Sequence, residues 1–243
     1  MEWQDEGVIL AMRPHGESAA IIETFTRSHG RHAGVVRGGA SRRQAAHLQP
    51  GTQVALTWRA RLSEHIGAFT VDPLKSRAHV MGDRMALAGL GAVCALLVAT
   101  LPERAAHPAL WQATLTLLDG LGEGDWPSAY LRWEVRLLEE LGYGLDLTAC
   151  AVTGAVTDLA YVSPRTGRAV SRAGAGTWAE KLFPLPQGLA GTAALDRQAL
   201  VQGLAITTHF LTRELAETQA GRALPEARGR LIDLVARSPA APA

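Results

Sequence analysis

Near residue 80 the hydrophobic pattern of this chain changes its period, and that change restricts the fold more than any single motif does. Before it stand five short runs rich in β-branched and apolar residues, "GVILAMR", "SAAIIETFT", "RHAGVVRGG", "TQVALTWRA" and "GAFTVDPL", separated by glycine-bearing turns. Short strands in such a series suit a small closed or partly open β-barrel. After it the spacing is helical. Met81–Leu101 is stopped by Pro102, while Pro108 and Pro127 fall where the first turn of a helix tolerates a missing N–H. Between Gly142 and about Gly176 the helical pattern is interrupted, and "LAYVS", "PRTG" and "RAVSR" read there as a β-hairpin. Two further helical runs lie near Asp196–Glu217 and Pro225–Ala236. The expected class is α+β: a barrel over 1–80, a mainly helical domain over 81–237 carrying the insert at about 142–176, and a disordered tail at 238–243.

Composition settles two side questions. Met85–Leu101 carries no charge, but it is short for a membrane span and is flanked by Arg84 and Pro102, so it reads as a buried core helix. The acidic N-terminus has no secretory pattern, and Cys94 and Cys150 are too few for a disulfide framework, which places the chain in the cytoplasm. Nor do they make a metal site, because structural zinc takes four Cys or His ligands and only Cys150 lies in the insert. His29 and His32 have no acidic or cysteine ligand nearby in sequence and read as surface turn residues. No nucleophile elbow, zincin, Walker or dinucleotide fingerprint is present, and the chain is not expected to be an enzyme or to carry a cofactor.

Charge is where the sequence turns one-sided. Although basic and acidic residues number 24 and 23, no acid occurs from Thr24 to Ser63, a stretch holding Arg27, Arg31, Arg37, Arg42, Arg43, Arg59 and Arg61. Interspersed signs are the ordinary condition of a solvated surface, so an acid-free, arginine-rich segment on a barrel is expected to face an anion, and nucleic acid above all. The loop Gly38–Gly51 carries Arg42 and Arg43, and Phe25, Trp58 and Phe69 are either stacking platforms or core. A second acid-free run, Leu159–Ala179, brings Arg165, Arg168 and Arg172 as a further set of DNA contacts.

Two segments, "EGVILAMRPHGESAAIIETFTRSHGRHAGVVRGGASRR" and "RWEVRLLEELGYGLDLTACAVTG", carry a resemblance to the RecO family of bacterial recombination mediators that extends over nearly the whole chain. The resemblance implies an OB-fold followed by a helical domain with a zinc-finger-like insert. Thr153 and Ser171 stand about where other cysteines would be expected, so the zinc does not carry over. It also implies binding of single- and double-stranded DNA, strand annealing, and action with RecR in loading RecA onto strands coated by single-strand DNA-binding protein. The C-terminal tail of that coating protein is an expected partner, and Arg132 and Arg136, one turn apart on the helix Pro127–Leu141, are candidates to receive its carboxylates. An RNA-binding OB-fold and a protein-binding adaptor are the rival readings.

Overall fold

A computed structural model describes residues 1–218 and 223–238, so the tail expected at 238–243 lies, beyond Ser238, outside the described residues. The chain forms two compact units, residues 1–122 with 225–228, and residues 123–224 with 229–243.

In the first unit β1 (Glu2–His15), β2 (Ala19–Thr26), β3 (Gly30–Val36), β4 (Gln53–Arg59) and β5 (Ala68–Lys75) close into a barrel of order β1-β2-β3-β5-β4. A short helix, α1 (Arg42–His47), lies between β3 and β4, inside the segment expected to be a loop. This is the five-stranded OB-fold arrangement. Alternation drives it: every second residue of β3 and β4 is buried. Ile9, Ile22, Val36, Val54, Leu56, Trp58 and Phe69 meet inside, with Leu48 of the α1–β4 loop beneath them. Gly34 is required there, because a Cβ would lie 2.3 Å from the Phe69 ring.

The weakest joint of the barrel is the parallel contact of β3 with β5, at Val35 and Ala68. Farther down β3, a later segment completes the edge. Arg31 bridges Glu103 in parallel register, and Arg104 N–H donates to the Arg31 carbonyl at 2.8 Å. Gly30, at φ 65°, lets that segment approach, since a Cβ would stand 1.8 Å from the Ala105 carbonyl oxygen.

Helices α2 (Arg84–Thr100) and α3 (Pro108–Asp119) belong to the same unit, so the strand-to-helix change near residue 80 is not where compactness changes. Asp83 caps α2, its carboxylate accepting from Met85 and Ala86 N–H. The uncharged sequence of α2 is explained by burial of ten of its residues, and among the described residues no helix is long and apolar enough to cross a membrane. Trp111 of α3 meets Phe25 of β2 edge to face.

The second unit is built on α4 (Trp126–Glu140), an insert, and α6 (Arg197–Thr218). Leu131 of α4 seats against Gly203 of α6, where a Cβ would come within 2.4 Å of a leucine methyl. The buried Glu134 carboxylate accepts from the Tyr130 hydroxyl and the Thr207 hydroxyl. The insert holds β6 (Leu159–Val162), β7 (Ala169–Ser171), the single turn α5 (Arg172–Ala175) and β8 (Phe183–Pro184), with β6 central in a three-stranded sheet. The final helix is α7 (Glu226–Arg237).

Candidate nucleic-acid interface

The seven barrel arginines divide into two kinds. Arg27 in the β2–β3 turn, Arg37 after β3, Arg42 and Arg43 on α1, and Arg61 in the β4–β5 loop are exposed and make no ion pair among the described residues. Ser41 caps α1, accepting from Gln44 N–H, and so sets the turn on which Arg42 and Arg43 are displayed. Arg31 is different. It donates to Glu23 at 2.7 Å and to the Leu101 carbonyl at 2.9 Å, with Glu103 at 3.6 Å, which makes it a brace rather than an anion contact. Arg59 pairs with Glu2 across the β1–β4 ladder at 2.8 Å, and both side chains are exposed. The acids missing from the sequence window thus return from neighbouring strands.

Phe25, Trp58 and Phe69 are buried, and none is a platform for bases. The accessible ring system is one that the sequence pointed away from. Trp3 of β1 stacks on His29 with centroids 3.9 Å apart, and on its other neighbour Trp58 at 5.6 Å. His29 Nδ1 lies 2.9 Å from Asp5, whose carboxylate also accepts from Ser28 and Glu6 N–H. Burial opposes ionisation of Asp5, yet these hydrogen bonds together outweigh it and hold its pKa below the ordinary value. Burial pushes the His32 imidazole the other way, below its usual pKa, with the Ala33 carbonyl partly opposing. Neither histidine is the bare surface residue expected. His29 is half-buried in a ring stack, and His32 is buried against Trp58 and Phe69.

Beside these rings a cavity of about 260 Å³ opens, lined by Met1, Trp3, His29, Trp58, Ser63 and Arg104 among others. Arg104 carries a left-handed φ of 63°, and its guanidinium donates to the Ser63, Glu64 and His65 carbonyls, so it fixes the β4–β5 loop that displays Arg61. A non-glycine residue in that backbone region is uncommon and persists only where its surroundings hold it. No local signal marks Arg104 in the sequence, because its partners lie some forty residues earlier. Ser28 and Ser63 of the cavity lining lie one and two residues from Arg27 and Arg61, whose exposed guanidinium groups can pair with phosphates beside rings that offer an edge or face to a base.

In the second unit the expected contacts are placed otherwise. Arg168 and Arg172 pair with Asp146 and Asp158 at 3.2 and 3.4 Å, while Arg165, at the hairpin tip, is exposed without an ion pair among the described residues. Arg132 donates to the Gly188 and Ala193 carbonyls and fastens the 188–193 loop. Arg136 is exposed and pairs with Glu139 at 3.1 Å.

The insert does not fit zinc. Cys150 has Thr153, Ser171 and Gly174 around it, and a Cβ on Gly174 would fall 2.9 Å from the Cys150 sulfur. The sulfur instead accepts from Ser171 N–H at 3.1 Å, Ser171 hydroxyl at 3.3 Å and Thr153 N–H at 3.4 Å. The hydrogen bonds from Ser171, and then Thr153, lower the Cys150 pKa to about 6 against the opposing effect of burial. Among the described residues no three His, Cys, Asp or Glu side chains converge as a metal site.

Comparison with known proteins gives a consistent placement. Residues 1–77 match the family described as Recombination protein O N terminal, and residues 81–222 match Recombination protein O C terminal. The chain is 64% identical over 238 residues to the DNA repair protein RecO of Cereibacter sphaeroides, covering 98% of this chain and 100% of that one. It is 56% identical over 239 residues to the DNA repair protein RecO of a Ruegeria species, covering 98% and 99%. The corresponding protein of Dinoroseobacter shibae is 52% identical over 240 residues, again 98% and 99%.

Proposed function

The chain belongs to the RecO family, and on that premise we propose that it is a non-enzymatic DNA repair and recombination mediator that holds DNA on its N-terminal barrel. The observation that carries this reading is the set of five exposed arginines, Arg27, Arg37, Arg42, Arg43 and Arg61, that no acid neutralises among the described residues. Contacts of this kind grip the phosphate backbone and do not read bases, so binding is sequence-tolerant and accepts single and double strands. The protein anneals complementary strands in the cytoplasm and acts with RecR to load RecA onto strands coated by single-strand DNA-binding protein. For the tail of that coating protein, Arg136 is the cation of α4 that remains available, since its exposed pair with Glu139 is worth little.

A mobility shift at low salt with single- and double-stranded DNA of equal length tests the reading, with RNA of the same length as competitor. Wild type should bind both DNA forms with a steep log–log salt dependence, each neutralised phosphate contributing a slope of about −0.9 on duplex and −0.7 on single strands. Arg42→Glu with Arg43→Glu should weaken binding to all sequences at an unchanged thermal midpoint, because both side chains are exposed. Equal affinity and slope in the double variant would remove α1 from the interface.

A further inference from the structure

Of the six tryptophans, Trp58, Trp111, Trp126 and Trp133 are buried and Trp3 is engaged with His29 and Trp58, but Trp178 is 63% exposed. A largely exposed indole presents a planar apolar face with a polar N–H edge, a surface suited to stacking. Trp178 lies on the two-turn 3₁₀ segment Gly176–Lys181, entered through Gly176 at φ 47°. Lys181 Nζ stands 4.8 Å from the centre of its ring. With a cation over one face, exposure of that extent leaves much of the remaining ring surface open to solvent. The lobe around it is firmly based, because the neighbouring Ala179 packs on the small core of Cys150, Val170 and Ala175. Arg172, on the preceding turn, is exposed, and its ion pair with Asp158 is of the solvent-screened kind that yields readily to a phosphate.

We propose that Trp178 and Lys181 form a second platform, on the insert, for an unpaired base of a single strand and its phosphate, an inference that rests on the reading above that the protein handles single strands. A planar ring with an adjacent ammonium is the chemistry by which single strands are held without regard to sequence. Base pairing hides the faces that such a ring needs, so the platform distinguishes single strands from duplex, which the barrel arginines do not. A protein that anneals strands then has a phosphate-gripping surface on the barrel and a stacking platform on the insert.

The test uses the full chain and a homopolymeric thymidine strand, which cannot self-pair, with a duplex of equal length alongside. Trp178→Ala should lose about five-fold or more in single-strand affinity, the lower end of what one stacked base contributes. Duplex affinity should change little, and the strand-induced quenching of tryptophan fluorescence should fall. Trp178→Phe should recover most of the affinity, and an unchanged thermal midpoint shows that the fold is intact. Equal single-strand affinity and equal quenching in wild type and Trp178→Ala would overturn the proposal, leaving DNA binding by the barrel standing. So would Trp178-dependent binding of an acidic peptide combined with unchanged single-strand affinity. If wild type binds neither strand form at low salt, the DNA-binding reading falls and this inference with it.

Discussion

The barrel and the insert each contain an arginine-rich run without a single acid, yet they differ in how much of that charge is left unpaired. On the barrel five of seven arginines stay exposed and unpaired among the described residues, whereas on the insert Arg168 and Arg172 meet Asp146 and Asp158. The cores differ in the same direction. The barrel closes over large aromatic and aliphatic side chains, while the insert packs three small residues and relies on hydrogen bonds converging on one sulfur. A surface rich in like charge repels itself, and a thick apolar interior can tolerate that strain where a thin one cannot. Neutralised arginines are what a small lobe can support.

The largest expected effect sets the two cores against each other. Trp58→Ala removes a side chain 2% exposed and should destabilise the first unit by about 3–5 kcal/mol. Val170→Ala in the insert should cost only about 2 kcal/mol and leave barrel amide protection untouched. Thermal unfolding with hydrogen exchange reads both, and equal losses would end the contrast. Next comes charge. Arg37→Ala with Arg61→Ala should flatten the duplex salt slope by about 2, whereas Arg168→Ala with Arg172→Ala should move it by less than about 1. A comparable change from the insert pair would mean that its ion pairs open on DNA.

The most local effect is a pH dependence confined to the insert. The Cys150 pKa is lowered from an ordinary value of 9.0 to about 6 in the folded state. A depressed acid stabilises the fold when ionised, so its contribution is complete above about pH 9 and is lost as pH falls through about 6. Amide protection around Ser171, measured against Cys150→Ser to remove the intrinsic pH dependence of exchange, should rise across that window in wild type alone. A constant difference between the two proteins would show that the sulfur stays protonated.

Most of the fold is written locally and could be read. The five strands, α3, α4 and the β6–β7 hairpin stand where period, proline and glycine place them, because each signal acts within a few residues. The interface was legible only by half. Its charge is visible as a missing acid, but which arginines are spent on Glu23 and Glu2 depends on strand register, and register is a property of the closed barrel. For the same reason Phe25, Trp58 and Phe69 could not be told from platforms until their inward direction was known, and Trp3 reaches His29 only once β1 has paired. Arg132 looks in sequence like a surface cation beside an apolar stripe, and its real partners, two carbonyls, lie more than fifty residues away. Backbone acceptors leave no trace in a charge pattern.

The bridge between Arg31 and Glu103 also bears on the order of events during synthesis. When Lys75 has left the ribosome every strand of the barrel exists, but the β3 edge at Gly30 and Arg31 still lacks the neighbour that residues 103–105 will supply. Until then that edge is an open template for pairing with another nascent chain. The contact joins residues 70 or more apart, so it is among the slow, entropically demanding steps of assembly. A fragment cut at the end of β5 keeps the seam exposed for its whole lifetime. The last stave of this barrel arrives from the turn between two helices, not from the fifth strand.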